Sequence, residues 1–470
     1  MNEIGLPATT RAYTGAAVTR FHYSCNTALM ETAATHLVSG LPLADAIRAS
    51  NRLGELDPAL AAEIEADPTA FYRWDAATRT LSQTIRGYTR RVRELGGLGC
   101  VLLPAGFDAP HFDPGRHTIS LPATAPDDFD VDAGAATDAA MARALDLAFA
   151  PEATTAAVLV VKGGRIVAER YGAGAGRDSM LGSWSMGKTI ASLVTGALVG
   201  AGRLDLDAEA PVEEWRADPD DPRRRIPLKA LVRMSSGLRF SGAREPSYAW
   251  GRGAADHQLV YSEAIDSYQF SIGVPVEHPP ETIGRYRNCD IATLGLLARR
   301  AQVADGLDPI DVPRRHLFDP IGVRRMTMCP DAHGNTIYTG FNYGTARDWA
   351  RIGQLCLARG SWKGQPVVPA SYIDFMATPA PAWIANPEPL SDFHHVYGGG
   401  IWLNRTSPKA TRSWSLPEDA MCMSGAGGQR CFVVPSLDMV VVRLGHMRGV
   451  EPDARTDEFL AALGRIVGSP

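Results

Sequence analysis

A chain of 470 residues and 50.4 kDa, 45% apolar and 21% charged, has the balance of a globular enzyme and room for about two to four structural units. It holds no apolar run of about 18 residues, and residues 1–21 show no basic flank followed by an apolar stretch. Neither a membrane-spanning helix nor a secretory signal is therefore expected, and the chain reads as a soluble, cytoplasmic protein. A net charge of −5 and a pI near 6.1 argue against an electrostatic grip on nucleic acid or on an anionic membrane.

Residues 1–20 are a weakly patterned tail, and residues 21–110 form an N-terminal accessory region. Helical patterns at 26–38 and 43–52 open that region, and mixed, strand-like segments follow around 71–85 and 100–103. A Pro-, Asp- and His-rich stretch at 107–132 reads as a connecting loop, and an alanine-rich helix is expected at 136–148. Residues 111–150 are thus a linker with a helix. A hairpin follows at 156–171, where two apolar strands flank Gly163-Gly164, a pair suited to a tight turn of positive φ. Residues 186–395 read mostly as helices and loops. Strands return at 399–404, 429–434 and 439–444, and an amphipathic helix is expected at 456–467. Strands at both ends of residues 151–470, with a helical segment of roughly 200–395 between them, imply one antiparallel sheet assembled from distant parts of the chain.

Seven cysteines at irregular spacing, with no CxxC, are neither a metal site nor a disulfide framework. Cys25 and Cys100 would pair only in an exported protein, so reduced thiols are expected. The histidines, including His394-His395, lack metal-ligand spacing and read as loop or surface residues. No metal or cofactor is expected. The chain holds only five lysines against 42 arginines, so a lysine in a motif carries information. Only lysine can be neutralised in a protein and act as a base.

Residues 182–189, Gly-Ser-Trp-Ser-Met-Gly-Lys-Thr, satisfy two motifs at once. Read as GxxxxGK[ST], they would cradle a phosphate, but that loop must leave a buried parallel strand, and residues 177–181 offer none. Read as Ser185-x-x-Lys188, they are a nucleophile and a base one helical turn apart, followed by an apolar and hence buried helix. In that reading Ser185 lies in the helix's first turn, where backbone N–H groups favour developing negative charge. Burial would push Lys188 toward the neutral amine that accepts the Ser185 proton.

Tyr286-x-Asn288 occurs once and precedes another buried helix. A phenol near a lysine ammonium ionises more readily and can relay the serine proton. The Asn288 amide can orient Lys188 or a substrate carbonyl. A third element, residues 423–429 (MSGAGGQ), leads into an apolar strand and would let a ligand approach the backbone closely. The N–H groups of Ser185 and Ala426 there could form an oxyanion hole. Trp184, Tyr248, Trp250, Tyr397 and Trp402 are candidates for pocket walls or for core packing.

Taken in this order, the three elements resemble the serine hydrolases of the β-lactamase and DD-peptidase type. The likeness is nearest to the class C branch that includes esterases and 6-aminohexanoate-dimer hydrolases, and it covers about residues 151–465. It implies an α+β, β-lactamase/transpeptidase-like fold: an antiparallel sheet flanked by helices, with a mostly helical subdomain. It further implies Ser185 as the acylated nucleophile, Lys188 and Tyr286 as the proton-handling pair, Asn288 as an orienting amide, and Ser424-Gly425-Ala426 in place of the Lys-Thr-Gly strand. Two departures stand out. Met423 occupies the place of a cation that would hold a substrate carboxylate, and Arg287 replaces a small residue inside the Tyr-x-Asn triplet. No Lys-Thr-Gly and no GxSxG elbow occur, and the one Ser-x-Asn, at residues 24–26, precedes the nucleophile.

The expectation is a serine hydrolase cleaving a small amide or ester, with no nucleic-acid or membrane partner. The alternatives are a catalytically silent ligand-binding or scaffold member of the fold, and a penicillin-hydrolysing β-lactamase or DD-peptidase. The intact Ser185, Lys188, Tyr286 and Asn288 set argues against silence, because a pure binder has no need of a neutral lysine.

Overall fold

The Gly163-Gly164 turn has φ values of +57° and +74° and closes strands β5 (Thr155–Lys162) and β6 (Arg165–Tyr171), the hairpin expected from the sequence. These strands belong to a computed structural model. It describes residues 20–50, 52–55, 57–117, 119–124, 129–132, 138–172, 174–242, 256–262, 265–387, 396–407, 414–446 and 455–467. Tyr248, Trp250, His394 and His395 lie outside the described residues, as does most of the 1–20 segment.

The N-terminal part begins with helix α1 (Arg20–Leu37), whose residues 25–34 are all buried. It packs on a four-stranded antiparallel sheet of β1 (Tyr72–Asp75), β2 (Thr80–Ile85), β3 (Tyr88–Glu94) and β4 (Cys100–Leu102), in that spatial order. The helical pattern at 43–52 ends sooner than expected, at Ser50. The described residues of 107–132 carry little regular structure, yet Val131 lays a bridge on Ile166 of β6. Helix α2 (Ala139–Ala148) starts where the Asp138 carboxylate accepts from the N–H groups of Ala140 and Met141.

Next come β7 (Leu181–Gly182) and α3 (Gly187–Gly200), a helix buried nearly all round. Then follow α4 (Asp256–Ser262), α5 (Asn288–Ala304), β8 (Met326–Met328), β9 (Asn342–Gly344) and α6 (Ala346–Leu357). The middle of the chain is therefore not purely helical: β7, β9 and β8 form a small antiparallel sheet beside the nucleophile motif. A two-stranded ribbon, β10 (Ser361–Trp362) and β11 (Gln365–Pro366), follows α6.

The main sheet is completed by β12 (Val396–Tyr397), β13 (Trp402–Leu403), β14 (Met421–Gly425), β15 (Gln429–Val434) and β16 (Met439–Gly445). All seven strands pair antiparallel in the order β12-β13-β14-β15-β16-β5-β6, so the two ends of this part of the chain meet where Val441 faces Val160. The strand expected at 399–404 shrinks to Trp402–Leu403. Helix α6 covers one face of the sheet through Gly353, where an added Cβ would come within 2.6 Å of Val440. Helix α7 (Thr456–Val467) packs with α2. The protein is α+β: an antiparallel sheet flanked by helices. No helix among the described residues is long and apolar enough to cross a membrane. All seven cysteines are buried free thiols, Cys25 and Cys100 among them.

Candidate active site

The turn that carries Ser185 is held by its neighbours. Ser185 lies in a single 3-10 turn, Trp184–Met186, and α3 begins only at Gly187, two residues later than the sequence implied. Trp184 has a φ of +48°, a left-handed conformation that bulky residues rarely adopt. Its carbonyl accepts from Asn342 Nδ2 at 3.0 Å, and its ring packs against Phe341 at 5.0 Å and Tyr261 at 5.4 Å. The surroundings thus over-determine a strained turn that presents the serine. At Gly187 a Cβ would sit 2.0 Å from Asn342 Nδ2, so glycine is required by close approach.

Lys188, one turn on from Ser185, is 1% exposed, and its Nζ donates to Ser185 Oγ at 2.7 Å. Burial, with no compensating carboxylate among the described residues, holds the amine well below the ordinary lysine range, so the neutral form is favoured. The same amine lies 4.7 Å from the centroid of the Tyr286 ring, whose hydroxyl is hydrogen-bonded with Ser185. Burial pushes the Tyr286 phenol up, the reverse of the easier ionisation expected from a nearby ammonium. With the lysine neutral there is no cation to draw the phenol's proton off. The pair is therefore an amine that takes a proton and a phenol that holds one.

Asn288 makes no hydrogen bond to Lys188. Its Nδ2 donates to the Tyr261 hydroxyl at 3.0 Å, and Tyr261 donates to the Thr339 carbonyl at 2.9 Å. That carbonyl also faces Lys188 Nζ at 3.3 Å and Ser185 Oγ at 3.4 Å. Tyr261 and Thr339 were not singled out in the sequence. Thr339 acts through its backbone, which any residue supplies, and Tyr261 sits in a short helical pattern with nothing to distinguish it from packing.

Arg287 is wholly buried and donates to Ser236 Oγ at 3.1 Å, which in turn donates to Asp290 Oδ1 at 2.6 Å. Burial raises the Asp290 carboxyl to about 6, with Arg287 and Ser236 opposing. This cluster underlies the Tyr286–Asn288 segment. Above it Trp402 stacks on the Tyr286 ring at 5.5 Å and 25°, and Tyr397 meets Trp402 edge-on at 4.7 Å. Trp184, Tyr397 and Trp402 are all buried, so they pack against the Ser185 turn and the Tyr286 ring rather than stand open to solvent.

The third element is a hairpin: β14 ends at Gly425, residues 426–428 turn, and β15 starts at Gln429. A Cβ on Gly425 would fall 2.0 Å from the Ser183 carbonyl oxygen, so only glycine lets β14 lie against the nucleophile turn. Strand alternation places Met423, fully buried, on the same face as Gly425. Half-buried Ser424 stands on the other face, opposite Arg430, whose guanidinium donates to the carbonyls of Gly425 and Gln429 at 3.1 and 2.9 Å. Exposed Ala426 follows directly at the turn.

The phosphate-loop reading of residues 182–189 fails on topology. The strand that enters the motif, β7, runs antiparallel to β9, with Leu181 opposite Gly344, and Lys188 is buried against Ser185. Among the described residues no three His, Cys, Asp or Glu side chains converge as metal ligands.

A family profile described as Beta-lactamase matches residues 136–465. The 6-aminohexanoate-dimer hydrolase of Paenarthrobacter ureafaciens is 25% identical over 314 residues, 65% of this chain and 75% of that protein. Among solved structures, a penicillin-binding protein homologue from Caulobacter crescentus superposes with a TM-score of 0.53 at 14% identity, over 74% of this chain and all of that one. A family VIII carboxylesterase does so with a TM-score of 0.51 at 16% identity, over the same shares of the two chains.

Proposed function

The chain belongs to the β-lactamase family, and from that premise we propose that it hydrolyses an amide or ester through an acyl intermediate on Ser185. The observation that carries this reading is the 2.7 Å contact between a buried, neutral-leaning Lys188 amine and the Ser185 hydroxyl. Lys188 takes the Ser185 proton as Oγ bonds to the substrate carbonyl carbon. The oxyanion that forms is met by the N–H groups of Ser185 and Ala426, a role supported by the seating of Gly425 on the Ser183 carbonyl. Tyr286 protonates the departing amine or alkoxide and is reprotonated from the Lys188 ammonium. Water then attacks the ester, gives its proton to Lys188, and Ser185 leaves with a proton returned by the same pair. Asn288 serves through Tyr261.

The substrate class follows from the third element. Met423 puts a buried thioether where a carboxylate-binding cation would stand, and the hairpin's own cation, Arg430, faces the other side of the sheet. An acyl group without a carboxylate beside the scissile bond fits better than a penicillin, and short acyl esters and linear amides such as the 6-aminohexanoate dimer are the class to test. Seven free thiols support a reducing, cytoplasmic setting.

The test is peptide mapping after exposure to a fluorophosphonate, followed by turnover of a panel of esters, linear amides and a chromogenic cephalosporin. A single adduct on Ser185, and turnover of esters or amides well above the cephalosporin, is expected. Ser185→Ala should lose the adduct and about 10⁴-fold or more of turnover while keeping its melting temperature. An unlabelled, folded wild-type protein would overturn the reading.

A further inference from the structure

We propose that Tyr261 is a positioning residue for the Ser185–Lys188 pair, acting by occupying the Thr339 carbonyl oxygen that both of them face. The proposal rests on the serine-hydrolase reading above and adds to it a residue outside the three motifs.

A carbonyl oxygen has two lone pairs, yet Thr339 O is approached by three donors: Tyr261 Oη at 2.9 Å, Lys188 Nζ at 3.3 Å and Ser185 Oγ at 3.4 Å. The tyrosine makes the shortest of the three contacts. Its proton has one place to go, because the Asn288 amide nitrogen at 3.0 Å can only donate to the phenol oxygen and the Thr339 carbonyl can only accept from it. Asn288 thereby fixes the direction of the chain, and accepting its hydrogen bond strengthens the one Tyr261 donates. Buried Tyr261 is held edge-on against Trp184, in the turn that presents the serine, at 5.4 Å and against Phe341 at 5.6 Å.

The consequence falls on the lysine. An ammonium gains most from a carbonyl whose lone pairs are free, and a neutral amine gains little. With Tyr261 seated on Thr339 O, the ammonium loses that partner and the free amine is favoured, the form that removes the Ser185 proton. Ser185 itself is left with only a long contact to the carbonyl, so once the amine is neutral the carbonyl competes little with it for the serine proton. Lys188 is faced by Ser185 from its own motif, by the Tyr286 ring from the segment before α5, and by this carbonyl. Tyr261 is in turn faced by Tyr286, by Tyr23 of α1, by Asn288, and by His257 one turn back on α4, whose ring lies 5.8 Å away. His257 is common to the wild-type protein and the variants below.

The experiment is the rate of fluorophosphonate adduct formation on Ser185 from pH 5 to 10, with steady-state hydrolysis alongside. In Tyr261→Phe the rising acid limb should move up by about one pH unit, with the high-pH plateau within about threefold of wild type. At pH 7 kcat should fall with KM nearly unchanged. An unmoved limb overturns the proposal, and so does a uniform loss at every pH, which is the mark of a merely structural tyrosine. Should Tyr261→Phe fail to fold by circular dichroism, Asn288→Ala removes the donor behind the phenol. It should then move the limb the same way by a smaller amount, and an unmoved limb there overturns the proposal equally. A wild-type protein that takes no label at any pH brings down the serine-hydrolase reading itself and this proposal with it. A labelled wild type whose limb both variants share brings down only the role of Tyr261.

Discussion

Under the proposed mechanism the buried amine of Lys188 sets stability against catalysis. Its folded-state proton affinity lies well below the ordinary value of 10.5, so between the two pH values the unfolded chain binds a proton that the folded chain refuses. Stability therefore rises with pH across that window, and below it the protein must bury an ammonium. Lys188→Met keeps the length and removes the titration. It should abolish turnover, raise the melting temperature at pH 7 by about 1–3 °C, and flatten the pH dependence of melting. A variant that melts lower than wild type across the whole range would show that the amine is not under strain. The scarcity of lysine made this residue visible in the sequence. Nothing there revealed that Asn288 bonds to Tyr261 rather than to the lysine, because both partners of that bond are read only from folded geometry.

At the scale of elements, local chemistry was legible wherever one strand or helix decided its own form. The 163–164 turn needs two positive φ values, which Gly-Gly supplies cheaply, and the apolar strands β15 and β16 announce themselves. Strand β3 was hidden because its buried face carries Arg90 and Glu94 beside Val92, which erases the apolar alternation. The residues of β14 did not mark it as a strand, although the family likeness put Ser424-Gly425-Ala426 in place of one, because Gly425 serves close approach rather than a turn of its own. Gly425 makes that point testable. In Gly425→Ala the new Cβ would meet the backbone oxygen of Ser183 at 2.0 Å, and backbone cannot rotate away. The end of β14 should shift from the nucleophile turn, carrying the Ala426 N–H with it and lowering kcat about a hundredfold. Steady-state kinetics at saturating substrate checks this, and an undiminished kcat would remove Ala426 from the oxyanion hole.

Across the whole molecule, the N-terminal layer is built into the hydrolase rather than hung from it, although the family match begins only at residue 136. Helix α1 packs on α4, which carries Tyr261, and the Ser39 hydroxyl donates to the carbonyl of Met180 just ahead of β7. At its other end the Cys100 N–H meets Cys329 Sγ at 3.3 Å, and Thr327 Oγ1 donates to the Gly97 carbonyl at 2.8 Å. The sequence offered no sign of this docking, since the contacts join residues more than a hundred positions apart. A chain starting at residue 104 would bare the buried faces of β8, β9 and α4, and it should be recovered aggregated or unreactive toward the fluorophosphonate. Soluble, fully reactive protein from that truncation would show the layer to be dispensable.

The pairing of β5 with β16 has a consequence in time. Val160 and Val441 are neighbours in the sheet but are separated by some 280 positions of synthesis, so the hairpin of β5 and β6 leaves the ribosome long before its partner exists. Until β16 arrives, a strand of Val and Leu waits with an unpaired edge, and the seat of Gly425 on the Ser183 carbonyl has not yet been made. Under the proposed mechanism the nascent chain has no working nucleophile during that interval, and its bare strand edge is where aggregation would start.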